Sequence, residues 1–211
     1  SAAGNVQRAI LMYACLLFWA IRLTYNWMRS WGGFSHEDWR YIMMKGKTNN
    51  KFQFFIVDFG SIHLIPTLCV YMALLPMIYA LTYPGNELNN FDILAAFLAI
   101  AAVFIQIISD QQMFNFRKNI SKPETMKSGL WYYSRHPNYL GEILFWFSLF
   151  IFALAANFNF AWLLIGTLIM YALIAIASVS MMDKRSLERR PDFKEYMDTT
   201  PAIFINVFKR G

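Results

Sequence analysis

Residues Ser128 to Glu142 read Ser-Gly-Leu-Trp-Tyr-Tyr-Ser-Arg-His-Pro-Asn-Tyr-Leu-Gly-Glu and run straight into an apolar block, Ile143 to Leu154. Pro137 fits the first turn of a helix, because it fixes φ and has no N–H to leave unpaired. The spacing therefore predicts a helix starting near Pro137, with its unpaired N–H groups beside Ser134, Arg135 and His136. Free amides and the positive end of the helix dipole act together there, which is the chemistry of an anion site. Asn138 and Glu142 are four apart and share one face. A carboxylate at Glu142, already inside the apolar segment, is costly without partners.

Working outward, the rest of the chain is as apolar as the block that follows this stretch. Of its 211 residues 57% are hydrophobic, 18% aromatic and only 15% charged, against about 25% charged in soluble domains. Several apolar runs reach the roughly 20 residues that cross a bilayer. The expected fold is all-α: a multi-pass transmembrane helix bundle of five spans, at about 5–28, 52–81, 91–109, 139–155 and 160–182. Pro66 and Pro76 are expected kinks. Segments 29–51, 110–138 and 183–211 carry seventeen of the nineteen Lys and Arg, leaving only Arg8 and Arg22. The connections at 83–90 and 156–159 carry none. That alternation follows the positive-inside rule and accounts for the net charge of +6 without nucleic acid. Cys15 and Cys69 both lie in apolar blocks, so neither a disulfide framework nor a metal site is expected. Residues 1–211 read as a single membrane domain. Ser1-Ala-Ala-Gly leads almost directly into a helix without signal-peptide architecture, as expected of a processed chain or one whose earlier helices are missing.

Polar residues gather at one depth on the basic side. Arg22 and Asn26 are spaced i,i+4, with Arg29 on the same face. Asp58 lies as far from Lys51 as Arg22 does from Arg29, about 10 Å along a helix. Gln106 and Asp110 end the third span, and Asn138 and Glu142 begin the fourth. Arg117, Lys118, Lys122 and Arg135 lie on the same side. Buried polar groups in a bilayer face one another or a hydrated cavity, so the expectation is one cationic site at this mouth. Arg22 and Asp58 are expected to approach each other or to share a ligand. His63 is expected to be a packed, satisfied histidine. Lys45, Lys47 and Lys51 are expected to touch lipid head groups, and Asp183 to Tyr196 to rest on the surface as a charged helix.

Ser128-Gly129-Leu130-Trp131 followed by Ser134-Arg135-His136-Pro137-Asn138-Tyr139-Leu140-Gly141-Glu142 resembles the signature of membrane steroid and sterol reductases. It is similar to the steroid 5α-reductase C-terminal domain and to the sterol C14-reductase and lamin B receptor group, and closest to an uncharacterised branch of that superfamily. Arg22-Leu23-Thr24-Tyr25-Asn26-Trp27, His36-Glu37-Asp38-Trp39-Arg40-Tyr41, Ser109-Asp110-Gln111-Gln112, Phe116-Arg117-Lys118 and Met182-Asp183-Lys184-Arg185 extend the likeness over nearly the whole chain. The resemblance implies an NADPH-dependent reductase of a polarised carbon–carbon double bond in a lipophilic, steroid- or lipid-like molecule. Asp110, Arg117, Arg135, His136, Asn138, Tyr139 and Glu142 match the family's cofactor-binding pattern, and Arg22 and Asn26 resemble its upstream Arg and Asn. The soluble-type G-x-G-x-x-G fingerprint is absent. The steroid reductases address the substrate carbonyl with a glutamate and a tyrosine in earlier helices, for which this chain has no secure match; Tyr25 is the candidate proton donor. The family implies the endoplasmic reticulum, with the mitochondrial inner membrane as the alternative, and lipids or other membrane proteins as neighbours. Two other readings remain: an S-adenosylmethionine-dependent membrane methyltransferase, whose cofactor region also resembles Arg135-His136-Pro137 and Tyr139, and a non-catalytic subunit that keeps the fold.

The charge alternation makes a direct prediction. Single cysteines replacing Lys47, Lys122 and Lys209, in a chain freed of Cys15 and Cys69, should all react with an impermeant maleimide from the same face of sealed vesicles. Labelling from opposite faces would break the five-span arrangement.

Overall fold

The computed structural model describes residues 2–34, 37–46, 48–83, 87–119 and 124–204, and all of their regular structure is helical. Within them, His36, Lys47, Lys122 and Lys209 of the sequence reading do not fall. Five helices are long and apolar enough to cross a membrane: Val6–Ser30, Lys51–Thr82, Asn90–Asn119, Pro137–Ala156 and Phe158–Arg189. The chain is a multi-pass helical bundle, as its hydropathy requires.

Helix α1 covers Ala2–Ser30 and the short α2 covers Trp39–Lys45. The second span comes in three pieces: α3 (Lys51–Asp58), a π turn (Phe59–Leu64) and α4 (Ile65–Thr82). The irregularity expected from Pro66 takes the form of that π turn, which ends just before the proline. Pro66 has no N–H to offer the preceding turn, so the ladder shifts register there. Pro76 lies inside α4 and is buried.

The third span, α5 (Asn90–Asn119), runs ten residues past its expected end at Ser109. Its polar continuation holds because the side chains find partners on other elements. Arg29 donates to Gln111 Oε1 at 2.6 Å, and Leu130 N donates to Gln112 Oε1 at 3.0 Å. Gly129, at φ +62°, takes a backbone that other residues avoid and lies against the Gln112 side chain. A single turn, α6 (Leu130–Tyr133), leads into α7 (Pro137–Ala156), with Pro137 in the first turn as its ring dictates. The last span joins a 3-10 stretch (Phe158–Leu163), α8 (Leu164–Ala172), a second π turn (Leu173–Ser178) and α9 (Val179–Arg189). It reaches seven residues beyond Met182. The tail then forms α10 (Phe193–Thr199).

The bundle is built on α5 against α7. Ala95, Ala99, Ala102 and Val103 share a buried cluster with Phe145, Leu149 and Phe152. In lipid there is no hydrophobic drive between helices, so small residues that let backbones approach take over. Gly141 marks the closest point: a Cβ there would lie 2.5 Å from Gln106 Cγ and 2.7 Å from the Ala102 carbonyl oxygen. At the far end of α1, Arg8 forks onto Asp92, with Nε–Oδ1 at 2.7 Å and Nη2–Oδ2 at 2.8 Å. Both side chains are fully buried. Asn89 Nδ2 closes that end by donating to the Ala155 carbonyl at 2.9 Å.

Gly141→Ala should lower thermal stability in detergent by about 1–3 kcal/mol, the usual range for overpacking. Gly60→Ala, where an added Cβ meets nothing within 4 Å, should cause no loss. Equal melting temperatures for the two variants would contradict the α5–α7 contact.

Candidate functional site

Three helices bring their polar residues together on the basic side of the bundle. From α1, Arg22 Nη2 pairs with Asp110 of α5, and its Nη1 lies 3.9 Å from Glu142 Oε2 on α7. Glu142 is held by three N–H donors: Gln106 Nε2 at 3.0 Å, Trp19 Nε1 at 3.2 Å and Trp146 Nε1 at 3.2 Å. A carboxylate in an apolar helix needs such partners. The cluster is not closed. Arg22 Nε, Gln106 Oε1 and Asn138 Oδ1 are buried atoms without a hydrogen-bond partner among the described residues. Glu142 keeps 22% of its side chain exposed, against 8% for Arg22 and 9% for Asp110, so the cluster opens on the Glu142 side.

Arg22, Asp110 and Glu142 thus converge as the sequence predicts, with Asn138 a turn away on the face of Glu142. The expected partnership of Arg22 with Asp58 does not form. Arg22 is taken by Asp110, and Asp58 lies instead 3.6 Å from His63 Nε2. His63, 56% exposed, is not a packed histidine. Asn26 accepts from Arg29 Nε at 3.0 Å, one turn nearer the basic side. Tyr25 is 63% exposed, with the Arg29 guanidinium 5.5 Å from its ring centre. Among the described residues its hydroxyl makes no hydrogen bond to Arg22, Asp110 or Glu142, so the proton-donor role expected of it gains no support from the geometry. Trp19 and Tyr25 flank Arg22 three residues to either side and so stand about 120° apart round the axis, and it is Trp19 that turns to Glu142. Trp19 and Trp146 were missing from the sequence reading; the signals were their i,i+3 and i,i+4 spacing to Arg22 and Glu142.

Arg135 and His136 face the tail. Arg135 Nη2 lies 2.7 Å from Asp183 Oδ2, and its Nη1 donates to the carbonyls of Met197 at 3.0 Å and Thr200 at 2.6 Å. His136 Nε2 meets Asp183 Oδ1 at 2.9 Å, and Tyr139 stacks on its ring at 5.2 Å. The backbone follows suit. Arg135 N and His136 N donate to Pro201 O and Ala202 O at 2.9 and 3.0 Å. Ser134 Oγ reaches Ile203 O at 2.9 Å, and the Tyr196 hydroxyl bonds the carbonyls of Trp131 and Ser134. Burial pushes the Tyr196 phenol well above its ordinary pKa, so it remains a donor. The segment expected to rest on the surface is therefore docked: Asp183, Phe193 and Tyr196 are buried.

Beside this seam lies a cleft lined by Arg117, Arg135 and Arg190 with Thr125, His136 and Ser186. Burial, then the charges of Arg117 and Arg189, lower the Arg190 guanidinium from its ordinary pKa. Mutually repelling cations in one cleft favour an anion between them. At its rim burial works to raise the Asp192 carboxyl, but hydrogen bonds from Thr125 and Lys127 outweigh it and hold the group below the usual carboxylate range. That contact therefore holds the tail at neutral pH and is lost only as pH falls through the lowered value.

Residues 1–200 match the family model described as Protein of unknown function (DUF1295). The chain is 27% identical to the uncharacterized protein C594.04c of Schizosaccharomyces pombe, over 94% of its own length and 63% of that protein's. It thus spans less than two thirds of that relative. No solved structure matches it. The chain belongs to the DUF1295 family.

Asp183→Ala should remove the carboxylate that, among the described residues, pairs with both Arg135 and His136, at a loss of about 3–5 kcal/mol. Limited proteolysis should then cut within residues 190–204 while the spanning helices stay intact. A tail equally resistant in the variant and the wild type would refute the docking role.

Proposed function

We propose that this DUF1295 protein is a membrane-embedded, NADPH-dependent reductase of a polarised carbon–carbon double bond in a lipophilic molecule. The observation that carries the reading is the set of unpartnered buried atoms around Glu142. Arg22 Nε offers a donor, and Gln106 Oε1 and Asn138 Oδ1 offer acceptors. A carboxamide needs both types together, and nicotinamide carries one. The arginine cleft, with Arg117 and Arg190 backed by Thr125 and Ser186, suits phosphate oxygens. Neither signature is that of a soluble dinucleotide fold, and the resemblance of the Ser134–Glu142 motif to the steroid and sterol reductases supports the same reading.

When bound, the nicotinamide supplies the hydride. The chain's own residues bind, orient and exclude water. Arg22, Gln106, Asn138 and Glu142 would fix the carboxamide end, while Arg117 and Arg190 would hold phosphate charge. Trp19 and Trp146 cover part of the carboxylate and leave its remaining face open to a ligand, whose binding would exclude water and strengthen the orienting bonds. The tail, latched by Asp183, closes the basic side.

Titration of purified protein with NADPH, NADH and S-adenosylmethionine, read by tryptophan fluorescence, tests this. NADPH should bind. Glu142→Gln and Asn138→Ala should each weaken it by roughly 1–3 kcal/mol, the range for a lost buried partner. Arg117→Ala should weaken it most at low salt, because that contact is the more exposed and electrostatic. Binding of S-adenosylmethionine alone would move the protein to the methyltransferases, and binding of none of the three would sink the reductase.

A further inference from the structure

In an α-helix, residues five apart stand about 140° from each other around the axis. Asp58 and His63 should therefore not meet. The π turn Phe59–Leu64, where bonding steps from i to i+5, stacks them. His63 Nε2 comes to lie 3.6 Å from Asp58 Oδ2. The second carboxylate oxygen, Asp58 Oδ1, is buried without a hydrogen-bond partner among the described residues. Pro66 accounts for the register shift, and the shift sets two ionisable groups side by side inside a spanning helix, where π turns often mark functional sites.

The surroundings narrow that use. Counted from Lys51, His63 is about 18 Å along a helix that crosses a hydrocarbon layer about 30 Å thick. It is 56% exposed there, while Asp58 is 18% exposed. Phe52, Phe55 and Phe59 run along the exposed face that ends at His63, at 72%, 61% and 50% exposure. The rings of Phe55 and Phe59 stack with centres 6.1 Å apart. The surface is thus an apolar stripe with a single polar head at its deep end. Asp58 Oδ2 faces the Nε2 edge of the imidazole at 3.6 Å, beyond hydrogen-bond reach, so the ring nitrogens are left for an incoming oxygen.

We propose that Asp58 and His63 form the polar anchor of a binding site in the second span for a lipophilic molecule bearing one hydroxyl or carbonyl oxygen. The apolar body lies along Phe52, Phe55 and Phe59, and the oxygen meets the His63 ring. A partner of this shape gives the lipid-facing His63 ring a polar contact that lipid tails cannot. The site is built by residues outside the Glu142 cluster and stands whether or not the nucleotide reading holds.

The test uses the full chain in lipid nanodiscs and two photoreactive probes: a diazirine-bearing long-chain alcohol and the same molecule with hydrogen in place of the hydroxyl. Cross-linked residues are mapped by mass spectrometry. The alcohol should label segment 52–63 more strongly than the hydrocarbon by roughly five- to tenfold, the effect of one hydrogen bond. Excess unlabelled alcohol should displace it, and excess alkane should not. His63→Phe and Asp58→Asn should reduce labelling to the hydrocarbon level, while His63→Gln, which keeps a donor and an acceptor, should retain most of it. Equal labelling by both probes, or failure of the alcohol to compete on the wild type, overturns the proposal, and both readouts are independent of how the variants fold. Cross-links from residue 63 to a second protein chain that exclude the probe overturn it in favour of a protein contact. NADPH titration of the same variants should be unchanged; a wild type that takes up the alcohol and no nucleotide refutes the reductase alone.

Discussion

A carboxylate fixed inside an apolar helix has to be satisfied from the helices beside it, and Glu142 is satisfied from two of them as well as from its own. The indole of Trp19 reaches it from α1, the amide of Gln106 from α5 and the indole of Trp146 from one turn along α7. Each of these bonds contributes on the order of 0.5–1.5 kcal/mol. None can form unless all three helices are turned to the right angle about their axes. Packing follows from that requirement. Gly141, next in the chain, must lack a side chain because Gln106 crosses there. Trp19, fixed by its N–H, lays its face on Phe145 at 5.1 Å.

The same logic operates outside the apolar zone. The Ser134–His136 turn leaves backbone amides, a guanidinium and an imidazole in one place, and the tail satisfies them with carbonyls and Asp183. The loop that looked like a ligand site from its donors is thus largely a seam between the start of α7 and the tail. What it leaves over is the arginine cleft at its edge. A single short motif therefore serves two purposes, closing the fold and bounding the arginine cleft.

Much of this was legible in the sequence, and the limits have a physical origin. Hydropathy and charge alternation give the number of spans and the depth of each residue, so Arg22, Asp110 and Glu142 could be placed at one level. Depth is not direction. Asp58 shares that level with Arg22 yet belongs to another surface, and Tyr25 lies close to Arg22 in sequence yet on another side of α1. Asp183 was hidden for a different reason: its neighbours Lys184 and Arg185 make the segment look like a solvated helix, and only the tertiary seam reveals a buried acid. The π turn at Phe59–Leu64 was signalled by Pro66 as an irregularity, but nothing local says that it will stack Asp58 on His63.

Arg8–Asp92 and Arg22–Asp110 join the same two helices near their opposite ends, α1 and α5 running in the same direction. Two such rivets fix the shear between the helices. A slip of one residue, about 1.5 Å along the axis, would stretch both ion pairs at once, in a medium that cannot solvate the separated charges. Piston and screw motions of α1 on α5 are thereby suppressed. The second span has no comparable ionic tie to α5 among the described residues, and it carries the π turn. Flexing is accordingly left to that side, while the α1–α5 pair acts as a rigid wall.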